Sequence, residues 1–256
     1  MLQTIKHVSR HCLNRALRPA GLEVVNKPEK AHDWGDVRQY IPLQATLIEA
    51  QNAHLSVGDY IDAKHNVAGA TQQTHDQLAA LGVFKDRIDR VCEIGPGSGR
   101  YLERVIRACQ PSHVEIYETA SDWCEWLVAT YQVIPRPTDG VTLAHTPANS
   151  IDLIQAHKVF VCLLFLNTCS YFTEIVRVTK PGAWVVFDVM TEDCMDNANV
   201  ALWLQTGINT RTYPAIIPKS FVIRFFESHG FRFAASFLIP MKPGRTECMV
   251  FQKHHA

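Results

Sequence analysis

The sequence is poor in features that mark several protein classes. It has no net charge, with 25 Lys and Arg balanced by 25 Asp and Glu, so no global field favours nucleic acid or an anionic membrane. Its longest apolar run, 159–166, is far shorter than a bilayer span. It has no internal repeat, no low-complexity tract and no C-x-x-C pair among its eight cysteines. The first residues lack the apolar core and small-residue cleavage site of a secretory signal. Scattered thiols in that setting fit a reducing compartment better than a disulfide framework. The expectation is a cytoplasmic protein. Hydrophobic residues at 47% and charged residues at 20% exclude a disordered chain.

A chain of 256 residues accommodates one large domain and an appendage. At the start, Leu2, Ile5, Val8, Leu13 and Leu17 form a helical stripe, with Lys6, Arg10, Arg15 and Arg18 off it. Such a basic helix over residues 1–18 packs on its own domain or makes, at most, a peripheral membrane contact. A polar linker follows at 26–36. Residues 37–83 read as helical, broken at Pro42, at Ser56–Gly58 and at Gly69, and ending at Gly82. Asp59 is expected to cap one helix and Thr71 or Thr74 another. Residues 1–87 are thus expected to be a helical extension and cap, with a second domain over 88–256.

From residue 88 the texture changes. Apolar runs at 90–94, 113–118, 133–137, 151–156 and 183–189 alternate with helix-like stretches. That rhythm predicts an α/β fold with a parallel, doubly wound sheet covered on both faces. The end differs: a helix at 220–230, then runs at 231–239 and 246–252 around the turn "PMKPGR", which predicts an antiparallel hairpin.

The densest glycine cluster, "VCEIGPGSGR" at 91–100, follows the first of these strands. In an open parallel sheet such a turn sits at the ligand-binding end. Gly95 and Gly97 leave room against the backbone, and Gly99 lets the next helix start close to the sheet. The spacing G-x-G-x-G is not the G-x-G-x-x-G of dinucleotide binding, and a P-loop's lysine and hydroxyl are missing. Glu93, two residues before Gly95, repels phosphate and suits a ligand with a cationic group.

These residues resemble the class I S-adenosylmethionine-dependent methyltransferases. "VCEIGPGSGR" is similar to their first motif, E/D-x-G-x-G-x-G. "HVEIYETA" resembles the second strand with its terminal acid, Glu118; "PTDG" the third-strand loop with Asp139; "IDLIQAHKVF" the fourth-strand motif; and "RVTKPGAWVVFDV" the segment leading into strand five. The resemblance covers about 88–256. It implies a Rossmann-like, seven-stranded, mostly parallel sheet with the C-terminal hairpin, preceded by a variable helical cap. It implies S-adenosyl-L-methionine as cofactor: Glu93, Gly95, Gly97 and Gly99 at its methionine end, Glu118 on the ribose diol, and Asp139 with Gly140 at adenine. Trp123 is a candidate to cover the adenine face.

On the acceptor side, His157 at the end of the fourth strand is the candidate base, the alternative being a hydrogen bond to main chain around the cofactor. Tyr60, His65, Arg211, Tyr213 and Arg245 are candidate substrate contacts. The D/N-P-P-Y/F motif of DNA and amide-nitrogen methylation is absent, and so is a basic stripe. The expected partner is therefore a small-molecule or glycan acceptor, not nucleic acid, methylated on a hydroxyl oxygen. No metal is expected, and a homodimer stays open. The alternatives are an NAD(P)-dependent reductase and a non-catalytic binding protein of this fold.

Overall fold

Ser56 shows how the sequence starts a helix in this chain. Its hydroxyl accepts from the Asp59 amide at 3.1 Å and donates to the Asp59 carboxylate at 2.8 Å, satisfying an amide that the first helical turn leaves open. Ser56, rather than Asp59, is thus the cap of helix α2 (Val57–His65). Ser56→Ala is expected to cost about 1 kcal/mol, read from the urea midpoint. The computed structural model describes residues 41–206 and 214–255. Before α2 runs α1 (Leu43–Asn52), and after it α3 (Ala70–Ala80). Neither Thr71 nor Thr74 caps α3. The Thr71 hydroxyl donates to Asp62, and that of Thr74 to the Ala70 carbonyl.

The remaining elements alternate as the apolar runs predict: β1 (Arg90–Ile94), α4 (Arg100–Cys109), β2 (His113–Tyr117), α5 (Ser121–Tyr131), β3 (Ile134–Pro135) and β4 (Ile151–Ala156). Then come α6 (Phe165–Val178), β5 (Thr179–Val189), α7 (Asn197–Thr206), α8 (Lys219–Ser228), β6 (Phe231–Pro240) and β7 (Arg245–Lys253). Two elements depart from the sequence reading. The strand expected over 133–137 shrinks to two residues, since Pro135 and Pro137 cannot donate to a ladder. β5 begins four residues early, through the irregular pairing of Ile151 with Thr179 and Leu153 with Trp184.

The seven strands lie in the order β3-β2-β1-β4-β5-β7-β6. β1 to β5 pair in parallel, whereas β7 runs antiparallel between β5 and β6. Strand order therefore reverses between β1 and β4, and the crevice beyond their carboxyl ends is the ligand position of such sheets.

The core follows the two-residue period of the strands. On β5, Val185, Phe187 and Val189 face α6 and α8 in a cluster with Phe172, Phe226 and Phe251. Trp184 and Val186 face the other way, toward Leu78 of α3 and Val105 of α4. The other cap helices meet this body as well. Leu43 of α1 packs on Ala120 and Trp123, and Gly58 of α2 sits against Arg100.

Candidate functional site

The carboxyl end of β1 leads into a loop whose shape is set by its neighbours. The Gly95 amide donates to the Tyr117 carbonyl at 2.8 Å, tying the loop to the end of β2. A β-carbon on Gly95 would stand 2.7 Å from Val159, so the turn after β4 crosses the loop at van der Waals contact. A β-carbon on Gly97, by contrast, would meet nothing within 4 Å. The loop thus carries one open cradle, above Gly97.

Glu118, at the end of β2, faces that cradle. One carboxylate oxygen accepts from the Gly97 amide and the other from the Ala120 amide, each at 2.8 Å. A carboxylate has about four lone-pair sites, and the Gly97, Ala120 and Thr119 amides act on it, so it keeps capacity for a further donor. The geometry suits a vicinal diol. Burial pushes the Glu118 carboxyl above its ordinary value despite these amides.

Glu93 is sunk deeper. It is 1% exposed, and its carboxyl accepts from the Gln155 amide of β4 at 2.6 Å. Burial raises its pKa to about 8. A buried acid held by a neutral amide, with no ion pair to it among the described residues, is set up to attract a cation.

Asp139 serves its own turn. It accepts from the amides of Val141 and Thr142 and from the Thr142 hydroxyl, and these bonds hold the carboxyl low against the push of burial. Next to it the Gly140 amide donates to the Thr138 hydroxyl, so the turn is internally satisfied. Trp123 does not face the cradle openly. Its indole N–H donates to the Ile41 carbonyl at 2.9 Å, and its ring packs under α1.

His157 follows β4 at the same end of the sheet. Its ring stacks on Tyr101 of α4, with centroids 3.7 Å apart, and neither ring nitrogen has a hydrogen-bond partner. The expected alternative role, a bond to main chain, is therefore not what the structure shows. Burial lowers its pKa to about 3, so the imidazole is neutral and weakly basic under Tyr101. The acid beside it is Asp188 of β5, with Nδ1 and Oδ1 4.0 Å apart. That carboxylate is engaged elsewhere: it takes the Lys158 amide, the Lys158 ammonium at 2.9 Å and the Thr246 hydroxyl at 2.6 Å. Clamped at amide and side chain by one carboxylate, Lys158 adopts a left-handed backbone with φ 61, which turns the chain sharply after His157.

The other expected substrate contacts fare unevenly. Tyr60 and Lys64 both bond to Glu49 within the cap, whereas His65, at the end of α2, is shifted down in pKa by burial. Arg245 braces the β6–β7 turn against the Asp193 carbonyl and the Asp196 carboxylate. Arg211 and Tyr213 lie outside the described residues, as does the basic stretch 1–18. Among the described residues no three His, Cys, Asp or Glu side chains converge as a metal site, and no helix is long and apolar enough to cross a membrane. Sequence reasoning missed Gln155, Tyr101 and Asp188. A lone glutamine in the apolar run "IDLIQA" was the available signal for the first; stacking and cross-strand clamping leave none for the others.

Comparison with known proteins agrees with this geometry. Residues 92–187 match the family described as "Methyltransferase domain". No curated protein matches the chain by sequence. Among solved structures, an O-methyltransferase family protein from Burkholderia thailandensis is 17% identical with TM-score 0.57, covering 96% of this chain and 84% of its own. A putative methyltransferase solved with the Trm112 activator of Haloferax volcanii is similar at 15% identity and TM-score 0.58, over 81% of this chain and 97% of that one. The N-methyltransferase NodS from Bradyrhizobium japonicum, solved with S-adenosyl-L-homocysteine, is 16% identical with TM-score 0.54, over 82% and 97%. Residues 92–187 are thus similar to a methyltransferase domain, and the chain shares the fold of these solved methyltransferases.

Proposed function

We propose that this protein transfers a methyl group from S-adenosyl-L-methionine to a hydroxyl oxygen of a small molecule or glycan in the cytoplasm. The observation that carries the reading is the pairing of an open cradle at Gly97 with Glu118, whose carboxylate is anchored by backbone amides and keeps capacity for a further donor. The residues fit the group. Glu118 takes the ribose hydroxyls, the backbone of 95–99 lines the methionine end, and Glu93 supplies negative charge beneath it. Asp139 is left to shape the rim through its turn, with Gly140 beside it. When bound, S-adenosyl-L-methionine supplies an electrophilic methyl on a cationic sulfur.

The protein's own contribution is then positioning and exclusion of water. The acceptor approaches over the end of β4, where His157 is neutral and able to accept a hydrogen bond. His157 acts as a base only once the Tyr101 ring swings off it, because a pKa of about 3 suits no proton transfer from an alcohol. The lack of the amide-nitrogen motif in "IDLIQAHKVF" favours oxygen as acceptor atom.

Thermal unfolding with S-adenosylmethionine, S-adenosylhomocysteine, NADH and NADPH tests the reading. A hundredfold excess over the dissociation constant is expected to add about 2.7 kcal/mol of stability with the first two alone. Stabilisation by the nicotinamides alone would replace methyl transfer with hydride transfer.

Cofactor binding is also expected to release a proton. The free Glu93 carboxyl is mostly protonated at neutral pH because burial raises its pKa to about 8. A cation above it favours the ionised form and lowers that value. Affinity should therefore rise between about pH 6 and 8 and level off above. Calorimetry in buffers of differing ionisation heat checks this; no proton release at neutral pH would contradict it.

A further inference from the structure

Arg100 poses an electrostatic problem for that reading. It is the first residue of α4, directly after Gly99, and its side chain is only 12% exposed. A guanidinium so close to the glycine loop repels a cationic cofactor. Its charge is felt at Glu93, whose pKa it pulls down, and at His157 and Lys158. The structure shows where that charge is met. Nη1 of Arg100 lies 3.1 Å from Asp62 in the cap, and the guanidinium also stands 5.3 Å from the centre of the Tyr101 ring.

Asp62 is an unusual residue for a cap helix. It is fully buried on α2. It accepts from the Thr71 amide at 2.8 Å, the Thr71 hydroxyl at 2.9 Å and the Asn66 side chain at 3.4 Å, as well as from Arg100. A carboxylate held by three uncharged donors stays in place, which is what a counter-ion needs. The seat is close: a β-carbon on Gly58 would lie 3.0 Å from that of Arg100. Arg104, one turn on, is occupied in the same way by Asp59 and Gln72.

We propose that Asp62 is a positioning residue for cofactor recognition: by holding and neutralising Arg100 it keeps the glycine-loop crevice attractive to a sulfonium. The inference rests on S-adenosylmethionine being the cofactor and assigns part of the selectivity for its charge to the cap. It separates two ligands of nearly the same shape. S-adenosylmethionine carries the sulfonium charge, and S-adenosylhomocysteine does not.

The test is the ratio of the two dissociation constants, measured by calorimetry on the full chain at low salt. Asp62→Asn is expected to weaken S-adenosylmethionine about fivefold more than S-adenosylhomocysteine, because Arg100 is then an uncompensated charge beside the loop. Arg100→Gln should shift the ratio in the opposite direction. Asp59→Asn removes an equal charge from the same helix, but its partner is Arg104, 3.3 Å away; the ratio should not move. Partial unfolding lowers both affinities equally and leaves the ratio intact, and Arg100→Gln provides a reading even if Asp62→Asn does not fold. A wild type that binds both ligands, with ratios within twofold in both the Asp62 and Arg100 variants, overturns the proposal. So does an equal shift in Asp59→Asn. A wild type that binds neither ligand overturns the cofactor assignment itself.

Discussion

Glu118→Ala is expected to lower the affinity for S-adenosylhomocysteine at least a hundredfold. The carboxylate does two things at once. It accepts the amides of Gly97 and Ala120, fixing the glycine loop against the end of β2, and its remaining lone-pair capacity is offered to a diol. Hydrogen bonds to a charged group contribute about 1.5–3 kcal/mol each. Two of them amount to roughly 3–6 kcal/mol, and every 1.4 kcal/mol is tenfold in affinity. Calorimetry gives the affinity, and urea unfolding of the same variant separates loss of ligand contacts from loss of the folded state. An affinity within fivefold of wild type would remove Glu118 from the site.

Two glycines of one loop should fail in opposite ways. Gly97 and Gly99 both have left-handed backbones, with φ 52 and 70. In either, alanine meets the strain of that conformation, about 1–2 kcal/mol. At Gly97 nothing else opposes the new methyl, since no atom lies within 4 Å; it projects into the cradle. Gly97→Ala is therefore expected to fold with only that loss of about 1–2 kcal/mol and to lose cofactor affinity by about two orders of magnitude. At Gly99 the methyl would stand 2.6 Å from Leu127 and 3.0 Å from Tyr131. Leu127 is fully buried beside Leu102 and Ile116 and has nowhere to go, so overpacking adds to the strain. Gly99→Ala should cost about 3 kcal/mol or more in urea unfolding. Equal effects on stability and on binding in the two variants would mean that the cradle is not where the cofactor lies.

The two kinds of glycine look alike in the sequence, and this marks how far the sequence could be read. Alternation of apolar runs with helix-like stretches is a local signal, and it located β1 and β4 to the residue because burial on both faces demands continuous hydrophobicity. The antiparallel hairpin was equally legible, through its short turn. Glu118 and Glu93 were visible as acids at strand ends in a recognisable order. Long-range partnership was not legible. Nothing in "GDYIDAKH" says that Asp62 faces Arg100, since the pair depends on how the cap sits. His157 was visible as a residue type, but its neutrality is set by burial, with the charges of Lys158 and Arg100 adding to it. Asp139 shows the reverse case: a plausible ligand that the backbone of its own turn has taken up.

The position of β7 has a consequence for biogenesis. The last strand in sequence lies between β5 and β6, and its Lys253 ammonium closes the end of α6 by donating to the Val176 and Thr179 carbonyls. Until that strand has left the ribosome, β5 carries an open, apolar edge, and Phe251 is missing from the aromatic cluster around Phe187. The nascent chain therefore cannot complete its core in strand order: β6 is made before the strand that joins it to β5, and the vulnerable period lasts until β7 has emerged.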